Sequence, residues 1–298
     1  MWIILAFVSA FLLGCYDVNK KISLNGNAVI PVLFLNTLFS TLLLMPFVGL
    51  SYTTTLLQGS LFEVPHVSWV VHLQVFIKSC IVLSSWIFGY FGLKHLPITL
   101  VGPMKATQPI LTLIGALLIF GEHLNVYQSI GVSLAIFSLF HLSRSGKQEG
   151  IRFMHNKWIL FSFLGVLFGA FSGIYDKYLM QRLDVMTVQV WFTFYQCLMM
   201  LVIVLFIWYP QRQKSTPFYW RWNIIFISLF LCIADWIYFY ALSDPKAMIS
   251  IISMVRRSNV LVTFAAGALF FHEKNLKRKT LDLLLVFISM IFIYIGTY

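Results

Sequence analysis

Apolar residues in this 298-residue chain gather into long unbroken runs, neither alternating nor confined to one helical stripe. Ten runs stand out, at about 2–18, 28–50, 69–92, 98–120, 126–143, 158–179, 186–208, 222–243, 248–271 and 280–297. At about 18–25 residues, most are long enough to cross a hydrocarbon core of about 30 Å. A backbone in lipid must satisfy its own hydrogen bonds, and runs of this length are too long for barrel strands, so each predicts a helix. The longest polar connections are 144–157 and 210–221, neither long enough for a soluble domain.

The polar punctuation repeats. The first run ends in GCYD (14–17) and the sixth in GIYD (173–176). The third contains WIFGY (86–90) and the eighth WIYFY (236–240). In the fourth, Lys105 precedes Glu122 by 17 residues; in the ninth, Arg256 precedes Glu273 by the same interval. These landmarks predict a duplication with a first five-helix repeat over 1–143, a connecting loop over 144–157 and a second repeat over 158–298. Five is odd, so the second copy enters the membrane from the opposite face. Inverted repeats of this kind hold a substrate near the midplane at their interface. The predicted fold class is therefore an all-α integral membrane protein with ten transmembrane helices in two inverted five-helix repeats.

Composition agrees with the membrane reading: 60% of residues are hydrophobic and only 10% charged, against about a quarter charged in soluble domains. The net charge of +11 could suggest nucleic acid, but most of it sits in short loops, where it anchors a membrane protein. Fourteen loop cations fall on one side and three on the side holding both termini, which favours termini outside the cytoplasm under the positive-inside rule. The four cysteines lie within apolar runs and read as small buried hydrophobes. MWIILAFVSAFLLGC resembles a lipoprotein signal but lacks a basic leader, and its partner later in the chain favours a retained first helix.

A few charges interrupt the runs. A Lys or Arg at mid-helix costs about 2.5–3.5 kcal/mol on insertion scales and is kept where it faces a wet cavity, a partner or a ligand. Lys105, Arg256 and Arg257 are the candidates for an anion-binding cluster, because Arg offers a planar fork to phosphate or carboxylate and Lys a mobile charge. The alternative is a closed network in which Asp235, Asp17 or Asp176 neutralises them. Asp235 is also a candidate proton relay, and Asp17 and Asp176 are candidates for coupling or for local ion pairs with nearby lysines. Lys78 lies midway along the third run, as a cavity residue or a paired one. Trp86, Tyr90, Tyr238 and Tyr240 are candidate lining aromatics through their repeat placement. Gly89, Gly165 and Gly169 permit close helix packing.

Enzyme signatures are missing: the chain has no Asp-rich metal motif, HExxH, GxSxG or phosphate-cradling glycine loop. No cofactor or metal is expected, and the sequence sets no oligomeric state. The expected partners are a small anionic metabolite and membrane lipids, not nucleic acid.

Ten spans in two repeats, with Glu closing the fourth and ninth, resemble the drug/metabolite transporter superfamily of EamA type. Within that resemblance, MKATQP (104–109) is similar to the Lys-Ala-Met-Glu-Pro stretch of the triose-phosphate/phosphate translocators, with Gln108 in place of the Glu. MVRRSNVLV (254–262) is similar to their Val-Lys-Arg-Val-Val-Val stretch. The resemblance implies that Lys105, Arg256 and Arg257 bind the phosphate of a transported metabolite. It also implies cytoplasmic termini, opposite to the charge count. The expected function is alternating-access transport of a small organic anion, most simply sugar phosphate exchanged for phosphate, in a bacterial inner membrane. Export of amino acids or other neutral metabolites is the alternative, and a non-transporting lipid-handling role a second.

Overall fold

The computed structural model describes residues 2–108, 110–111, 125–127, 129–131, 133–134, 137, 156–244, 252, 255–256, 258–270 and 276–296. Arg257, Glu122, Glu273 and Pro109 lie outside the described residues, as do most of the fifth run and of the 144–157 connection.

The described helices are α1 (Trp2–Leu24), α2 (Val29–Thr53), α3 (Trp69–His95), α4 (Ile98–Ala106), α5 (Lys157–Met180), α6 (Val185–Ile203), α7 (Asn223–Ser243), α8 (Asn259–Leu269) and α9 (Leu276–Ile295). A π turn (Val204–Trp208) and a 3-10 turn (Tyr209–Gln211) extend α6. Among the described residues, five helical stretches are long and apolar enough to cross a membrane: Val29–Thr53, Trp69–His95, Lys157–Met180, Val185–Gln211 and Asn223–Ser243. The ten expected spans are met to that extent. The protein is an all-α, multi-pass membrane protein.

One helix end lies well beyond its apolar run for a physical reason. α1 runs to Leu24, six residues beyond its apolar run. Its charged turn is held inside the fold: Asp17 and Lys20 are buried against each other. Lys21 Nζ donates to the backbone oxygens of Leu93 and Leu96 at 2.8 and 2.6 Å, capping the carbonyl end of α3. α5 starts at an Asn156 cap whose side chain accepts from the Trp158 N–H at 2.9 Å.

The most extensive packing joins α1 to α7 and α3 to α5; α2 lies against α6 and α7, and α8 against α1 and α4. Small residues bring the helices close. A Cβ added at Gly165 would stand 3.1 Å from Gly89 N and 3.2 Å from Ser85 O, and Ser85 Oγ donates to the Gly165 oxygen at 2.7 Å. A Cβ at Gly14 would meet Val262 at 2.5 Å, so α1 and α8 touch almost backbone to side chain. Outward stripes remain apolar: Ile4, Phe7 and Phe11 on α1, and Leu284, Ile288 and Ile291 on α9, are exposed. In a membrane that helical spacing faces lipid. Exposed Trp69, Tyr219, Trp220 and Trp222 sit at helix ends, where amphipathic rings meet the headgroup layer.

Candidate functional site

Seven helical segments surround a central cavity of about 180 Å³, room for on the order of ten waters. Its wall holds three buried ionic groups, each joining different helices.

The first centres on Asp17 of α1. Its Oδ1 takes Lys20 Nζ at 2.6 Å and Lys105 Nζ, from α4, at 2.7 Å. Asn259 Nδ2, at the start of α8, donates to its Oδ2 at 3.1 Å. Lys20 Nζ lies 4.1 Å from the Tyr16 ring centroid and 4.8 Å from that of Tyr90, within cation–π range. The Tyr16 hydroxyl donates to that of Tyr90 at 3.4 Å.

The second pairs Lys78 of α3 with Asp176 of α5. Lys78 is only 2% exposed, and its ammonium sits 4.9 and 4.8 Å from the rings of Phe192 and Phe239. The third pairs Arg256 with Asp235 of α7, the guanidinium lying 3.9 Å from the Tyr238 ring.

The structure thus brings Lys105, Arg256, Lys78, Trp86, Tyr90 and Tyr238 to one cavity, with Asp17, Asp176 and Asp235 among them. The two expected cations do not face each other bare; each has a carboxylate. The described charges give four cations and three carboxylates, 4 − 3 = +1. The excess lies at Asp17, which serves two lysines. Three wall atoms have no partner among the described residues: the Ser162 hydroxyl Oγ, the donor Arg256 Nε and the acceptor Asn259 Oδ1.

Tyr240 is the exception among the candidate aromatics. It is not in the cavity wall and stacks on Trp236 with centroids 5.3 Å apart. At about 100° per residue, Tyr238 and Tyr240 point some 200° apart, so the WIYFY motif cannot line one cavity with both.

The sequence does not single out Lys20, Tyr16 and Asn259 as binding residues, although all three line the cavity. Lys20 follows Asp17 by three residues, the spacing of helical neighbours, but it lies where the apolar run has ended and so resembles a loop cation. Asn259 carries no charge to betray it. Among the described residues, no group of His, Cys, Asp and Glu is arranged to hold a metal.

No curated protein matches the chain at a significant level. A solved crystal structure aligns over 98% of this chain and 95% of its own, with a TM-score of 0.64 at 12% identity, which speaks for the fold alone. The sequence profile described as the EamA-like transporter family matches residues 1–144 and 156–295. Apolar helices around a charged central cavity are what such a carrier needs, and with nearly every residue inside the two matched stretches, the chain belongs to the EamA-like transporter family and is a small-molecule membrane transporter, not an enzyme.

Proposed function

We propose that this transporter carries a small organic anion, most simply a phosphorylated metabolite, by alternating access, in exchange for phosphate or a second anion. One observation carries the reading: among the described residues the cavity wall has one more cation than carboxylates, and the surplus sits on Asp17. An arriving acid group can take Lys105 or Lys20 while the other lysine keeps Asp17 neutralised, so no buried charge is left alone. Arg256 Nε supplies a further donor, and Trp86, Tyr90 and Tyr238 supply the walls. Arg257 belongs to the proposed clamp by its position in the sequence. Without an anion the described part of the wall keeps a net positive charge, and self-repulsion opposes reorientation. Exchange follows from that, because a loaded cavity moves more readily than an empty one.

The same reading takes the chain as two inverted repeats, 1–143 and 158–298, joined by 144–157, in a bacterial inner membrane. The matched pairing of α1 with α7 and α3 with α5 supports it, since first with eighth and third with sixth are exchanged by a two-fold relation. That the family profile matches in two separate stretches, 1–144 and 156–295, supports a division into two halves.

Proteoliposomes loaded with phosphate test the function. Uptake of labelled sugar phosphate is expected, with loss in the Lys105→Ala/Arg257→Ala variant. Transport that survives the double substitution would sink the site assignment. The internal ion pairs favour a second reading, export of amino acids or other neutral metabolites. That reading is supported if cells expressing the chain resist toxic amino-acid analogues and keep that resistance in the same variant.

A further inference from the structure

Outside the central cavity, α2, α6 and α7 meet through polar side chains. Asn36 and Gln196 are fully buried, and Gln189 and Ser40 nearly so; none of the four lines the cavity. Asn36 and Ser40 are four residues apart, so they share a face of α2, as Gln189, Thr193 and Gln196 share a face of α6. Bonds between the helices fix where these faces meet. Ser228 Oγ of α7 donates to the backbone oxygen of Asn36 at 3.1 Å, Gln189 Nε2 to that of Cys232 at 2.8 Å, and Thr41 Oγ1 to that of Thr193 at 3.2 Å.

Six side-chain atoms at this junction remain. Both amide atoms of Asn36, both of Gln196, Gln189 Oε1 and Ser40 Oγ have no partner among the described residues. Left dry, six such groups would cost as much as the net stability of a whole domain. The donor set decides the occupant. Amide NH₂ groups turn a metal ion away, α2, α6 and α7 bring no Lys or Arg to this seam to hold an anion, and a lipid chain satisfies none of the six. What fits is neutral and both donates and accepts.

We infer that α2, α6 and α7 enclose a file of bound water, a polar site separate from the substrate cavity. With about three bonds per water, the six atoms take two or three molecules. The role follows from the chemistry. A direct amide–amide contact breaks when helices shift, whereas water reorients and rebonds. The file is a hydrated bearing on which α2 and α6 can move without leaving a buried amide unpaired.

X-ray radiolysis of the purified protein in heavy-oxygen water tests this, because activated bound water oxidises its neighbours. Met200 and Met180 are both buried in apolar clusters, but Met200 lies one turn beyond Gln196 on the seam helix α6, whereas Met180 ends α5. Heavy-oxygen incorporation at Met200 is expected to exceed that at Met180 several-fold, with label also at Cys232. In Asn36→Leu/Gln196→Leu the Met200 label should fall to the Met180 level with no gain in melting temperature. Equal labelling of the two methionines in the wild type overturns the proposal, whether or not the variant folds. So does a leucine variant more stable than the wild type, the mark of a dry seam relieved of unpaired groups.

Discussion

Replacing Lys78 with methionine should be among the most damaging single changes in the chain. Lys78 and Asp176 are buried on opposed helices, α3 and α5, and removing one partner of a buried pair costs about 3–5 kcal/mol through the charge left behind. The rings of Phe192 and Phe239 that flank the ammonium would then face a carboxylate across a methionine. At about 2 °C per kcal/mol, the lower end for long chains, the melting temperature should fall by about 6–10 °C. Asp176→Leu should cost a similar amount. The double variant Lys78→Met/Asp176→Leu, which removes both charges, should recover to within about 2 °C of wild type, because apolar replacement of a whole buried pair is often neutral. Thermal unfolding of detergent-purified protein, followed by intrinsic fluorescence, completes the double-mutant cycle. A double variant that loses the sum of the two singles would refute the argument, since the residues would then act independently.

Three further outcomes can be measured. Gly165→Ala should cost about 1–3 kcal/mol by overpacking, because the new methyl meets the backbone of α3; Gly169→Ala, which meets the end of the Gln108 side chain, should cost less in the same melt. Asn27→Ala removes two bonds to the Tyr219 backbone, at 2.7 and 2.8 Å, worth about 1–3 kcal/mol together; trypsin should then cut faster at Arg212 and Lys214, and an unchanged digestion rate would count against that tether. Lys20→Gln leaves Lys105 as the one cation on Asp17 among the described residues, so affinity for phosphate or sugar phosphate, read from the concentration dependence of the thermal shift, should weaken by about tenfold or more, and an unchanged dependence would remove Lys20 from the anion site.

Much of the cavity was legible because charge is conspicuous in an apolar run. Lys105, Arg256, Lys78 and Asp235 declare themselves by their cost in lipid, and the structure gathers all four around one space. Pairing with Asp17, Asp176 or Asp235 was an open alternative, but which acid meets which cation was not legible, since it depends on which helices cross: Lys105 meets Asp17 of α1, 88 residues away. Lys20 was hidden by its place just past an apolar run, where buried and loop lysines look alike. The α2–α6 seam was invisible for the opposite reason: Asn36, Gln189 and Gln196 are single neutral residues, each tolerable in a span, and only their convergence carries meaning. Tyr240 shows the limit of motif matching, because a repeat can preserve letters while the helical turn sends them to different faces.

The Asp17 carboxylate holds α1, α4 and α8 through Lys20, Lys105 and Asn259. On the proposed reading, an acid group seated there competes with the brace that joins three helices. Recognition and release of the fold then draw on one interaction, so a ligand signals its arrival by undoing a knot. Selection would act on how completely a compound unties Asp17, and a tightly bound anion that left the brace intact would be an inhibitor, not a cargo.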